Sequence, residues 1–392
     1  MAHEKNLALV KKSLPTIASR NQVFAKIIKV LDEGDSFLLL GHANPDEDCI
    51  GALVAFALLA RKMQKSVTVY QRKPFPYQFT YLSGICEFNS IHVLSSLPVP
   101  SEKYSAIVVL DTPKPSMIDI DDASRGILSD SSIRKIEIDH HLETDAEYFG
   151  DEEYRLVSNA SSSCELIGFL AYKIDKNKEL KNRYGIEDVF TRNLVLAVLT
   201  GIIGDSGMGR YFKTTRERRL YDWLSALFDN MLALKTRQGS GNYKTKEQIF
   251  ESIASLSKGE GKCFERIYAM KLHTKRFDYI FIPEMEVKAL CEEFGDESFI
   301  SVVKSAADTL SEQNGTFGLI AYPDSEGLVQ FRVRRSRDFT DFDLRDILSR
   351  LSLTNGGGHP GAIGFRIPKS EISDPASFTD DLVQKVSAML DA

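Results

Sequence analysis

Through the first half of the chain, short continuous apolar runs alternate with longer helical or loop stretches. Phe37 to Leu40 is uninterrupted apolar sequence closed by Gly41, and the apolar stretch Ile50 to Leu59 that follows is long enough for a helix. This predicts a buried strand, a loop and a helix. Similar runs at Val67 to Tyr70, Ile107 to Leu110 and Ile136 to Ile138 predict a parallel sheet covered on both faces, an α/β class. Thr215 to Leu234 is amphipathic at helical spacing, and the polar stretch Lys235 to Asn242 contains Gly239 and Gly241. A domain junction is expected there, giving a first domain over 1–240 with a helical extension around Phe24 to Leu31, and a smaller α/β domain over 241–392. The second domain is expected to begin with a helix over Lys246 to Ser257, broken at Gly259-Glu260-Gly261. Strands are predicted near Tyr279 to Ile282, Phe317 to Tyr322 and Leu328 to Arg334, with helices at Phe299 to Leu310 and Phe342 to Leu351.

Composition agrees with two domains and narrows the class. At 392 residues with 43% hydrophobic and 27% charged positions, the chain has the make-up of ordinary globular domains. Its longest uncharged apolar run, Cys49 to Ala60, is far short of the roughly 18 to 20 residues that span a bilayer. Leu7 to Val10, flanked by Lys5 and Lys11, is too short for a signal-peptide core. A cytoplasmic, non-membrane protein is expected. The five cysteines, Cys49, Cys86, Cys164, Cys263 and Cys291, have no paired spacing and read as reduced, structural thiols. A formal net charge of −6 argues against a broad track for a long nucleic acid, which relies on many basic phosphate contacts. A short anionic substrate needs only a local cationic pocket.

Three predicted strands end on residues that bind metals. The first runs into His42, Asp46 and Asp48, the strand at 107–110 into Asp111, and the strand at 136–138 into Asp139, His140 and His141. In an open parallel sheet, ligands collect beyond the carboxyl ends of the strands, so these residues are expected to converge. Asp205 follows the apolar run Leu194 to Ile203 among Gly201, Gly204 and Gly207, glycines that would let backbone approach a ligand. The oxygen and imidazole set suits hard or borderline divalent ions such as Mn²⁺ or Mg²⁺. Carboxylates this numerous at one place would repel one another unless cations neutralised them, and two metals sharing one carboxylate would relieve that.

His42-Ala43-Asn44-Pro45-Asp46-Glu47-Asp48, Asp111, Asp139-His140-His141 and Asp205 resemble, in order, the four motifs of the DHH phosphoesterases. Arg335-Ser336 followed by Gly356-Gly357-Gly358-His359 resembles the DHHA1 domain of the same proteins. The resemblance implies an active site in the cleft between the two domains. It also implies one Mn²⁺ on His42, Asp46 and Asp111 and a second on Asp48, Asp111, His140 and Asp205, with Asp111 bridging. Asp139 would orient the neighbouring imidazoles, a support that ligating histidines commonly need. His141 would face the substrate phosphate, Ser161 to Glu165 would start a helix beside the site, and Arg335, Ser336 and Gly356 to His359 would hold substrate through backbone N–H groups and guanidinium. Two departures stand out: Glu47, where relatives commonly have a small residue, and Pro360-Gly361 after the glycine run.

The implied reaction is hydrolysis of a phosphoester by water activated on the metals. Resemblance to nanoRNA-degrading members points to short oligonucleotides or linear dinucleotides, with adenosine 3′,5′-bisphosphate as a further substrate. A cyclic di-AMP phosphodiesterase, an inorganic pyrophosphatase, a RecJ-like single-strand exonuclease and a non-catalytic nucleotide-binding regulator are the alternatives. The segment from Met1 to about Asp35 carries no chemical motif and is expected to pack on the first domain or to make a homodimer contact.

Overall fold

The computed structural model describes residues 10–97, 104–142, 146–235, 243, 245–353 and 355–391. Its chain divides into two compact units, Met1–Ile253 and Ala254–Ala392. The junction expected at 240–241 falls outside the described residues.

The first unit is built on six parallel strands in the order β3-β2-β1-β4-β5-β6, namely β1 (Ser36–Leu40), β2 (Ser66–Tyr70), β3 (His92–Leu94), β4 (Ala106–Leu110), β5 (Arg134–Asp139) and β6 (Arg155–Val157). The four runs read as strands correspond to β1, β2, β4 and β5. Their interiors are buried throughout, the polar Thr68, Lys135 and Glu137 included, as strands covered on both faces are. β1 pairs with both β2 and β4, so strand order reverses between β1 and β4. Ligands gather at such a switch point.

One face is covered by α1 (Ile17–Glu33), α2 (Glu47–Lys62), α4 (Ser163–Lys176) and α6 (Arg192–Ser206). α2 and α6 are buried over nearly their whole circumference, which accounts for their lack of an amphipathic stripe. The run at Leu194 to Ile203 and Gly204 lie in one helix, α6, that carries Asp205 near its C-terminal end and is capped by Gly207. Shorter helices α3 (Thr80–Phe88) and α5 (Lys178–Tyr184) precede α7 (Thr215–Lys235) and α8 (Lys246–Ile253).

The second unit holds a mixed sheet in the order β11-β12-β10-β9-β8-β7, from β7 (Leu272–His273), β8 (Phe277–Phe281), β9 (Phe317–Pro323), β10 (Leu328–Arg335), β11 (Gly356–His359) and β12 (Ala362–Pro368). Helices α9 (Lys258–Tyr268), α10 (Glu284–Phe294) and α11 (Asp296–Asn314) pack on one face. α12 (Arg345–Arg350) and α13 (Pro375–Asp391) complete the unit, with α12 residue Ile347 and α13 residues Leu382, Val383 and Val386 in the core of the other face.

Gly259 and Gly261, expected to break the chain, lie inside α9, because Ser257 and Glu260 form a capping box that starts the helix ahead of them. Gly356 to His359 forms an edge strand paired with β12. Glycine is required there at Gly358, where φ is +141° and an added Cβ would lie 2.2 Å from the Ala362 carbonyl oxygen. Among the described residues, no helix is long and apolar enough to cross a membrane.

Candidate metal centre

The segments that follow β1, β4 and β5, together with α2, α4 and α6, bring the expected residues of the first unit to one place. Asp111 lies at its middle, with His42 Nε2 3.8 Å from Oδ2 and His140 Nε2 3.4 Å from Oδ1. The two carboxylate oxygens therefore face different histidines. His140 Nε2 is also 3.2 Å from Asp205 Oδ2 and 3.9 Å from Asp48 Oδ2. On the other side, His42 Nε2 is 3.6 Å from Asp46 Oδ1. Asp46 is the N-cap of α2 and accepts a hydrogen bond from Cys49 N at 3.2 Å. Asp111 adopts φ of +47°, a left-handed conformation that is uncommon outside glycine, asparagine and aspartate and that collects at functional sites.

α4 supplies donors to this cluster. Ser162 caps the helix, while Ser163 N and Cys164 N donate to the two oxygens of Asp48 at 2.6 and 2.9 Å. Ser163 Oγ donates to Asp111 Oδ1 at 3.0 Å. The helix N-terminus thus points its free N–H groups and the positive end of its dipole at a buried carboxylate. The Ser161 to Glu165 segment serves as both helix cap and site wall.

Asp139 ends β5 and is fully buried. Its Oδ1 accepts from His140 N at 2.8 Å, His141 N at 3.2 Å and His141 Nδ1 at 2.8 Å. Charge from His141 and Lys11, with the hydrogen bonds, overcomes the cost of burial and holds its carboxyl well below the usual range. His141 Nδ1 is also 3.6 Å from Asp111 Oδ1, and a third of its side chain remains exposed.

Among the described residues, three groups of potential ligand atoms each lie within 4.8 Å of one another: His42, Cys49 and Asp111; Asp111, His140 and His141; and Asp48, His140 and Asp205. The sequence reading takes Cys49 as merely structural, but its thiol stands with His42 and Asp111 because it is next to Asp48 on the first turn of α2. Its position beside Asp48 is the available signal, and a search for paired cysteines passes over it. Burial pushes this thiol up to about 11, so it is a neutral neighbour at ordinary pH.

The electrostatics of the cluster fit a cation. Burial and then the Asp111 charge raise Asp48 well above the ordinary carboxylate range, and burial and then Asp48 do the same to Asp205. Burial opposes charge on His140, yet the hydrogen bond to Asp111 and the charges of Asp205, Asp111 and Asp48 raise it well above its usual value. The cluster therefore holds protons where a divalent cation would satisfy the same oxygens, as metal-binding sites do.

Glycine on α6 makes room for this arrangement. A Cβ at Gly201 would fall 2.2 Å from Asp48 Oδ1 and 2.5 Å from Cys164 Sγ, so this glycine admits side chains, not ligand backbone. Gly201→Ala is expected to cost about 1 to 3 kcal/mol by overpacking, seen as a thermal midpoint lowered by several degrees. An unchanged midpoint would show that Asp48 can move aside freely. Glu47 lies over the same helix, its Cγ 1.8 Å from where a Cβ on Gly204 would stand.

In the second unit, Arg335 is buried and its Nη1 donates to the carbonyls of Thr340 and Phe342 at 3.0 and 2.6 Å. It ties down the loop after β10, a role that sequence spacing does not suggest. Ser336 is buried, with its N–H bonded to the Thr316 carbonyl at 2.6 Å. Arg334, on the opposite face of β10, pairs with Asp308 at 3.0 Å. Gly356 and Gly357 are exposed on the edge strand, and the side chain of His359 lies outside the described residues.

Residues 36–202 match the DHH family, N-terminal domain. Among solved structures, an exopolyphosphatase-related protein from Bacteroides fragilis has a similar fold, with 17% identity, a TM-score of 0.60 and coverage of 95% of this chain and 98% of that one. RecJ in complex with Mn²⁺ from Thermus thermophilus matches at 14% identity and a TM-score of 0.42, over 96% of this chain and 56% of its own. A pGpG-specific phosphodiesterase from Vibrio cholerae matches at 13% identity and a TM-score of 0.36, over 90% and 99%. No curated protein sequence matches the chain. Residues 36–202, which hold His42, Asp46, Asp48, Asp111, Asp139, His140 and His141, are thus similar in sequence to the N-terminal domain of the DHH family.

Proposed function

We propose that the chain is a metal-dependent phosphoesterase that hydrolyses linear dinucleotides or short oligonucleotides to mononucleotides, and adenosine 3′,5′-bisphosphate as a second substrate. The observation that carries this reading is Asp111, a buried carboxylate at the switch point whose two oxygens face His42 and His140 separately. That geometry supports a bridging role between two divalent cations, one beside His42 and Asp46, the other beside Asp48, His140 and Asp205. Mn²⁺ is the first choice and Mg²⁺ the second. Bound there, the cations would neutralise phosphate charge and lower the pKa of the attacking water.

The protein's own groups do the rest. Asp48 and Asp205 are held by α4 and α6, so their oxygens need no reorganisation to meet charge. Donation from His141 Nδ1 to Asp139 orients the ring, and with a second proton on Nε2 the imidazolium would donate to a phosphate oxygen and stabilise charge that builds on it. In the second unit, the exposed glycine backbone of β11, with His359, is assigned to hold a terminal phosphate of the nucleotide. Arg335 contributes by fixing the loop that follows β10.

A substrate panel with Mn²⁺ tests this. A linear diadenosine dinucleotide is expected to be cleaved at least tenfold more efficiently, by kcat/KM, than cyclic di-AMP, pyrophosphate or long single-stranded DNA. Preference for any of those three would transfer the assignment to that substrate, and binding without hydrolysis would make the chain a nucleotide-binding regulator.

A further inference from the structure

The N-terminal segment, which has no motif of its own, places one residue beneath the metal centre. Its backbone is laid along the first unit by bonds from Lys11 N to the Ala146 carbonyl at 2.8 Å and from Leu14 N to the Val157 carbonyl at 2.9 Å. Tyr148 Oη accepts from Lys12 N at 2.8 Å, and Ser13 Oγ accepts from Asn159 N at 3.0 Å. These bonds drive the Lys11 side chain inward, where it is 0% exposed. Burying an ammonium is costly unless every donor is met. Here Nζ reaches the Thr112 carbonyl at 2.6 Å, Glu137 Oε1 at 2.8 Å and Asp139 Oδ2.

Two of those partners belong to the peptide framework of the centre. Thr112 follows Asp111, whose φ of +47° is sustained only while its surroundings constrain it. Asp139 uses its other oxygen to hold the His140 and His141 amides and His141 Nδ1. Glu137 is the third partner and is otherwise satisfied by the amides of Phe149 and Gly150. We propose that Lys11 is a positioning residue of the metal centre, fixing the carbonyl after Asp111 and the orientation of Asp139, so that the N-terminal segment is part of the active-site architecture. This deepens the metal-dependent reading and rests on it.

The test compares full-length wild type with three variants: Lys11→Met, the charge-balanced pair Lys11→Met/Glu137→Gln, and Ile27→Ala, a core control on α1. Each is titrated with Mn²⁺ alone and followed by electron paramagnetic resonance, alongside thermal midpoints and kcat and KM on bis(p-nitrophenyl) phosphate. Both Lys11 variants are expected to bind Mn²⁺ about 10- to 100-fold more weakly and to lose kcat more than KM, as when a group supporting a ligand is removed. Ile27→Ala should lose midpoint and keep its Mn²⁺ affinity. Mn²⁺ affinity within about twofold of wild type in the charge-balanced pair, an equal loss in Ile27→Ala, or failure of both Lys11 variants to fold would overturn the positioning role. Failure of the underlying reading looks different: wild type itself would bind no Mn²⁺, or would bind it and hydrolyse no phosphodiester.

Discussion

Asp111→Asn is expected to lower kcat on a phosphodiester by about a thousandfold, equivalent to roughly 4 kcal/mol of transition-state stabilisation, with no loss of fold. Asparagine is the informative replacement. It tolerates the left-handed backbone found at this position, it keeps one oxygen that can accept from Ser163 Oγ, and it nearly preserves volume. What it removes is one negative charge and one of the two oxygens that face His42 and His140. In the absence of cations that removal relieves repulsion, since the Asp111 charge is the leading influence after burial in raising Asp48. The midpoint measured in chelator is therefore expected to stay level or rise, while Mn²⁺ no longer raises it by as much as in wild type. Near-wild-type kcat would show that Asp111 serves only the backbone turn after β4.

The first unit is legible because its longer strands are short, largely apolar runs, three of which stop on chemically marked residues. Leu40 is followed by Gly41 and His42, Leu110 by Asp111, and Ile138 by Asp139 and His140, so periodicity and site pattern reinforce each other. β3 and β6, at three residues each, are too short for any period to register. Gly356 to Gly358 carry no side-chain pattern that would mark a strand, and β11 forms because pairing with β12 supplies its ladder. The strand expected over Leu328 to Arg334 stops one residue short of Arg335, which ends β10, and its partners Thr340 and Phe342 lie in a loop whose path no local pattern reveals. Lys11 is the least legible of all. Its partners at Thr112 and Asp139 are 101 and 128 positions away, and nothing around it in sequence distinguishes it from Lys12, which lies at the surface and makes a different contact.

Removal and return of the metal tests the central claim most directly. The purified chain, stripped with chelator and dialysed, is expected to lose all phosphodiesterase activity, because Asp48 and Asp205 without a cation sit in mutual repulsion and retain protons. Mn²⁺ is expected to restore activity at two ions per chain, and to do so better than Zn²⁺, since oxygen and imidazole ligands dominate the cluster. Full activity in chelator, or hydrolysis unaffected by Mn²⁺ after stripping, would contradict the metal centre and with it the assignment of the chain as a metal-dependent phosphoesterase.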